Sequence, residues 1–162
     1  MTTAMRARAH LIEAVAWWKI GLSGGRTALA TAATDALVAD LGGDAVAELA
    51  GITESMNPFE VDALITRVAD ELRLHDAFTH GLEALAVRRM CRVLLANEMN
   101  ERELSGWVHT RFHHESESDL LNLLAELDDE YDEAEYSKHD VERIRKRIRA
   151  VAEEILATGS AT

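Results

Sequence analysis

One proline, Pro58, stands in 162 residues, and five of the nine glycines fall within residues 21–25 and 42–43. Proline breaks a helix and glycine weakens its interior, so a chain with so little of either between its punctuation marks is free to continue as helix. The intervening stretches are rich in Ala, Leu, Glu and Arg, the best helix formers. These features predict an all-α fold, a compact bundle of six or seven helices.

The apolar spacing places the elements. Leu11, Val15, Trp18 and Leu22 recur at helical intervals and predict a first helix over residues 5–20, ended by the glycines at 21–25. A second, over 26–41, carries the small-residue stripe Ala28, Leu29, Ala32, Ala33, Ala36 and Leu37, suited to close helix approach. Asp44 is read as the cap of a short helix through Leu49. Asn57, Pro58 and Glu60 form a helix-start signature for residues 58–72, and Asn100 with Glu103 repeats it for a helix to His113. Between these two lies a helix predicted over 78–96. Ser116 is read as the cap of a helix through Tyr131, and Ser137 as the cap of a last one over 138–157. In that last helix Val141, Ile144, Ile148, Val151 and Ile155 repeat every three or four residues. A short connection makes the last two helices an antiparallel hairpin. The domain reading is a single helical domain over 1–157, followed by a flexible tail at 158–162.

Charge narrows the function. Lys and Arg number 17 against 29 Asp and Glu, a net charge of −12. Phosphate binding needs clustered cations, so nucleic acid and anionic membranes are disfavoured as partners. No apolar stretch reaches the roughly 20 residues of a membrane span. The single cysteine, Cys91, fits a reducing compartment, and residues 1–8 lead into no signal-like apolar run, so the expected location is cytoplasmic.

The acid is concentrated. Ten carboxylates and no Lys or Arg lie between Glu115 and Glu135, and seven of the ten occupy positions 126–135. Two readings follow. In one, Arg143, Arg145, Lys146, Arg147 and Arg149 fold back and neutralise the segment within the hairpin. In the other, Asp128, Asp129, Asp132 and Glu133 meet a basic protein partner.

Motifs that would carry chemistry fail on spacing or residue type. The acidic run lacks the glycine bend of a Ca²⁺ loop. Gly21-Leu-Ser-Gly24-Gly25-Arg26-Thr27 lacks the lysine of a phosphate loop and reads as helix punctuation. His109 and His113 sit four apart on one helical face, a spacing that suits Zn²⁺, but they supply two ligands and no His-Glu-x-x-His pattern. Cys91 reads as core, as do Trp17, Trp18 and Trp107, with one of the first pair exposed. The sequence therefore implies no cofactor and no catalytic residue, and it favours binding over catalysis.

Glu48-Leu-Ala-Gly51-Ile52, Glu103-Leu-Ser-Gly106-Trp107 and Leu127-Asp-Asp-Glu-Tyr-Asp132 together resemble small helical bacterial proteins, some of them immunity-protein-like. The resemblance implies a non-enzymatic protein-binding role, compatible with an acidic neutraliser of a basic toxin. A metal- or small-ligand-binding protein using His109 and His113 is one alternative. Another is a homo-oligomeric structural protein that self-associates through the alanine stripe or a tryptophan.

Overall fold

The computed structural model describes residues 1–137 and 140–158. Among these the chain forms eight α-helices and no strand: α1 (Thr3–Lys19), α2 (Gly25–Val38), α3 (Asp44–Ala50), α4 (Pro58–Leu72), α5 (Leu82–Leu95), α6 (Glu101–Phe112), α7 (Asp119–Ser137) and α8 (Val141–Thr158). The all-α expectation holds, with one helix more than expected once the short α3 is counted. No described helix is long and apolar enough to cross a membrane. The contacts divide the chain into two units, Met1–Ala86 and Val87–Thr162.

In the first unit α2 packs between α1 and α3, and α3 packs on α4. The alanine stripe lies inside: Ala28, Leu29, Ala32, Ala33 and Ala36 are buried, with Leu11, Ala14 and Val15 of α1. The approach is close enough that a Cβ on Gly25 would come within 3.1 Å of the Trp18 ring. Trp17 is buried with its indole N–H donating to the Ser23 carbonyl (2.8 Å), whereas Trp18 is half-buried and donates to Asp62 (2.7 Å). The polar edge of each indole is thus satisfied, as partly buried Trp requires.

Helix ends account for most differences from the expected boundaries. The asparagine starts form as expected: the Asn57 and Glu103 amides donate to the Glu60 carboxylate (3.0 Å) and the Asn100 side chain (2.9 Å). The stops are less conventional. Asp40, Arg73 and Asn97 adopt left-handed backbone (φ 56°, 55° and 60°). The amides that follow them reach back to Ala36, Ala69 and Val93 carbonyls, closing Schellman turns at non-glycine residues. Helix α2 therefore stops at Val38, three residues before Leu41. Helix α5 starts at Leu82 rather than 78, because Phe78, itself buried, belongs to a separate turn and Gly81 (φ 68°) breaks the path between them. Ser137 is the last residue of α7 and donates to the Glu133 carbonyl, so it does not cap the final helix. Asp140 does that, accepting from the Arg143 amide (3.2 Å). The expected start at Lys138 and the flexible tail from residue 159 onward lie outside the described residues.

Helix α3 shows why seven residues can hold a helix. Asp44 is its first helical residue rather than its cap, and no local side chain caps it. The cap arrives from the last turn of α4, where the Glu71 carboxylate accepts from the amides of Gly43 (2.5 Å), Ala45 (3.0 Å) and Val46 (3.3 Å). Gly42 (φ 89°) makes the turn that allows this, and a Cβ there would sit 2.4 Å from the Val46 side chain. Partial burial raises the Glu71 pKa, but the three amide donors and Arg67 outweigh it and hold the carboxyl below the ordinary glutamate value. A depressed pKa stabilises the folded state above the ordinary value, and that stabilisation is lost as the pH falls through the folded one. Glu71→Gln should therefore cost about 1 kcal/mol at pH 7, measured by urea denaturation. The gap from the unsubstituted chain should narrow as the pH falls below 4.5.

Candidate functional site

The second unit is built on α6, α7 and α8, with α6 packed on α7 and α7 on α8. Pairing of Glu130 with Arg147 (3.5 Å) and of the Tyr131 hydroxyl with Arg145 (3.1 and 3.0 Å) sets α7 and α8 antiparallel, as expected. Arg149 reaches Glu101 at the start of α6 (2.6 Å) and Asn97 in the turn after α5 (2.9 Å). Arg88 of α5 donates to the Ile155 and Leu156 carbonyls (2.9 and 3.2 Å), covering the end of α8, whose last turn has no basic residue.

Asp128, on the inward face of α7, is the one buried acid among the described residues, with 6% of its surface exposed. An isolated carboxylate in that position would be strongly unfavourable. Three α6 side chains reach it: the Ser105 hydroxyl donates to Oδ1 (3.0 Å), Arg102 Nε lies 3.3 Å from the same oxygen, and His109 Nδ1 is 3.0 Å from Oδ2. Arg102, Ser105 and His109 fall at spacings of three and four, so all three look out from one face of α6 towards α7. Arg102 also pairs with Asp132 and lies over the Tyr131 ring, 4.8 Å from its centroid. Burial alone would lower the Arg102 pKa, but Asp132 and Asp128 outweigh it and raise the pKa.

Beyond this buried pair the histidines gather. Helix α6 ends at His113, whose amide bonds to the His109 carbonyl (2.8 Å). His113 itself adopts φ 52°, ψ −131°, unusual for a residue with a side chain. That turn brings the next residue back over the helix end. His114, not His113, therefore joins His109: their rings lie 4.9 Å apart, and His114 Nε2 is 3.1 Å from Asp129 Oδ2. Asp129 is also 3.7 Å from His109 Nδ1. One donor atom from each of His109, His114 and Asp129 lies within 4.8 Å of the other two. His113 is exposed and does not belong to this group.

The four acids singled out in the sequence thus separate. Asp128 is buried and engaged by Ser105, Arg102 and His109, Asp129 faces the two histidines, and Asp132 is paired with Arg102. Glu133 is exposed at an open groove of about 730 Å³, lined also by Glu130, Tyr136, Asp140 and Arg143. Neutralisation of the acidic segment comes in part from α8, through Arg147. It comes also from α6, through Arg102, a contribution that charge counting along the hairpin overlooked. Helix α7 continues to Ser137, so all seven acids at 126–135 are helical, while Glu115 and Glu117 precede the helix. Its start is Asp119, three residues beyond Ser116, whose backbone instead clasps the Asn122 amide (2.9 Å each way).

Cys91 is buried in α5, and burial pushes its thiol up to about 11 against the lowering effect of Arg88 and Arg92. It is a core residue, as read. No protein-family model, no curated protein and no solved structure matches the chain.

Two outcomes follow. Removing the buried acid strands Arg102 and His109, so Asp128→Ala should cost about 3 kcal/mol, whereas Glu133→Ala should change stability by less than about 0.5 kcal/mol; chemical denaturation monitored by tryptophan fluorescence measures both. Cys91 should react with a thiol reagent at pH 8 only as fast as the second unit opens, and at full speed in denaturant.

Proposed function

We propose that the chain is a non-enzymatic protein-binding module that offers one face of α7 to a basic partner. The observation that carries this reading is the alignment of Glu126, Asp129, Glu130 and Glu133 at spacings of three and four along α7. Glu126, Asp129 and Glu133 are exposed and Glu130 half-exposed, so the stripe faces solvent. The last turn of α7 has no basic residue, so the partial negative charge of the helix end adds to that of the acids. Tyr136, 96% exposed, stands beside Glu133 at the groove and supplies an amphipathic ring of the kind enriched in interfaces.

Electrostatic steering explains why such a surface would suit a basic protein. A concentrated patch of one sign raises the association rate with the opposite sign, and salt weakens the effect. Asp128 is withdrawn from that role by its engagement with α6, and Asp132 is partly offset by Arg102. The contact residues in this reading are therefore Glu126, Asp129 and Glu133, with Glu130 contributing less because Arg147 partly offsets it. Cytoplasmic residence, and the narrower role of neutralising a basic toxin, are consistent with it and form part of the proposal.

The test uses the full chain immobilised and exposed to extract from its native cell, beside the triple variant Glu126→Gln, Glu130→Gln, Glu133→Gln. The unsubstituted chain should retain a basic protein that elutes as salt rises, and the variant, with an unchanged circular dichroism spectrum, should retain it about tenfold less well. Equal retention by both, or capture of no basic protein, would contradict the proposal.

A further inference from the structure

We propose that His109, His114 and Asp129 form a binding site for one divalent transition-metal ion of the zinc class, a site that shares Asp129 with the acidic stripe but needs no protein partner. Two imidazoles and a carboxylate from the end of α6, the turn after it and the middle of α7 already place one donor each within 4.8 Å. In a tetrahedral zinc centre, bonds of about 2.0–2.2 Å set the donors about 3.4 Å apart. From a largest separation of 4.8 Å the group has to close by at most about 1.4 Å. His114 and Asp129 are exposed, so rotation of their side chains can supply that movement without disturbing the core.

What separates this group from a chance meeting of surface side chains is its support. The third donor, His109, is held through Nδ1 by Asp128 (3.0 Å), which is buried and fixed in turn by Ser105 and Arg102, so Nε2 is the ring nitrogen left to ligate. Histidine ligands of metals are characteristically oriented by such a carboxylate, which sets the ring and strengthens its donor nitrogen. The bend at His113 is the second support, because it turns His114 towards His109 where a continued helix would have placed His113. His114 Nε2 and Asp129 Oδ2 lie 3.1 Å apart, so the two exposed donors already face each other.

The donor set defines the ion. Imidazole selects zinc, copper, nickel and iron over magnesium and calcium, which prefer oxygen cages. Three protein donors leave a fourth position open to water or to a further ligand. Metal bound there would tie the turn after α6 to α7, so binding stabilises the second unit.

The experiment takes the full chain without an affinity tag, strips it with a chelator, and titrates Zn²⁺ by calorimetry at pH 7.5. The unsubstituted chain should bind one Zn²⁺ and melt at a higher temperature with it, and millimolar Mg²⁺ or Ca²⁺ should not compete. His114→Ala and Asp129→Asn should each weaken binding at least tenfold, Asp128→Asn by about tenfold through loss of ring orientation, and His113→Ala should bind as the unsubstituted chain does. His114→Ala decides the matter, because that exposed side chain lies outside the core and its variant should fold normally. No saturable one-to-one binding, or equal losses from His113→Ala and His114→Ala, would overturn the site. The Glu126, Glu130 and Glu133 amide variant should bind Zn²⁺ unchanged, so failure of the site and failure of the partner reading remain distinguishable although Asp129 belongs to both.

Discussion

The arrangement of α6 against α7 depends on a buried carboxylate. Taking Asp128 out of water is costly, and only a set of donors already in place makes its ionised form tolerable. Arg102, Ser105 and His109 supply that set from one face of α6. A slide of either helix by one turn, about 5.4 Å, would leave the acid and the guanidinium unmatched. The interaction therefore acts on register more than on net stability, since apolar packing of Leu104, Val108, Leu124 and Leu127 already favours burying these two faces. The same acid that fixes the register also fixes the His109 ring, so the outer face of the pair inherits its geometry from the inner one.

The first unit uses a related device on a smaller scale. There Glu71 of α4 satisfies three amides at the start of α3, and Gly42 provides the backbone path that lets it. In both units a carboxylate from one helix answers donors on another, across 26 residues of chain in the case of Glu71 and Ala45 and 23 in that of Asp128 and Ser105. Such polar ties supplement the apolar contacts by making one arrangement better than its neighbours.

These ties are what the sequence conceals. Helix existence and inward faces were legible, because the apolar period of α4, α7 and α8 and the two asparagine starts are local signals, and the local signals were sufficient. Stops at Asp40, Arg73 and Asn97 were not legible, since the usual marker of a left-handed stop is glycine and these positions carry other residues. For the same reason His113 read as a helical partner of His109: spacing of four assumes a helix that continues, and this one ends there. Asp128 read as surface because it sits among acids, and only its position four residues after Leu124 and three before Tyr131, both on the apolar face of α7, hinted otherwise. Arg102 and Ser105 carried no signal at all apart from their spacing with His109.

Charge is consequently sorted on α7 rather than merely accumulated there. Acids on the inner side are answered by α6, acids on the outer side remain towards solvent, and the histidines mark the boundary between the two. This sorting follows from the engagement of Asp128 with Arg102, and a double-mutant cycle measures it most directly. Stabilities of the unsubstituted chain, Arg102→Met, Asp128→Asn and the pair would be compared by chemical denaturation. The account predicts a coupling of about 1.5 kcal/mol or more, with the double variant less destabilised than the sum of the single ones. Additivity within about 0.3 kcal/mol would contradict it.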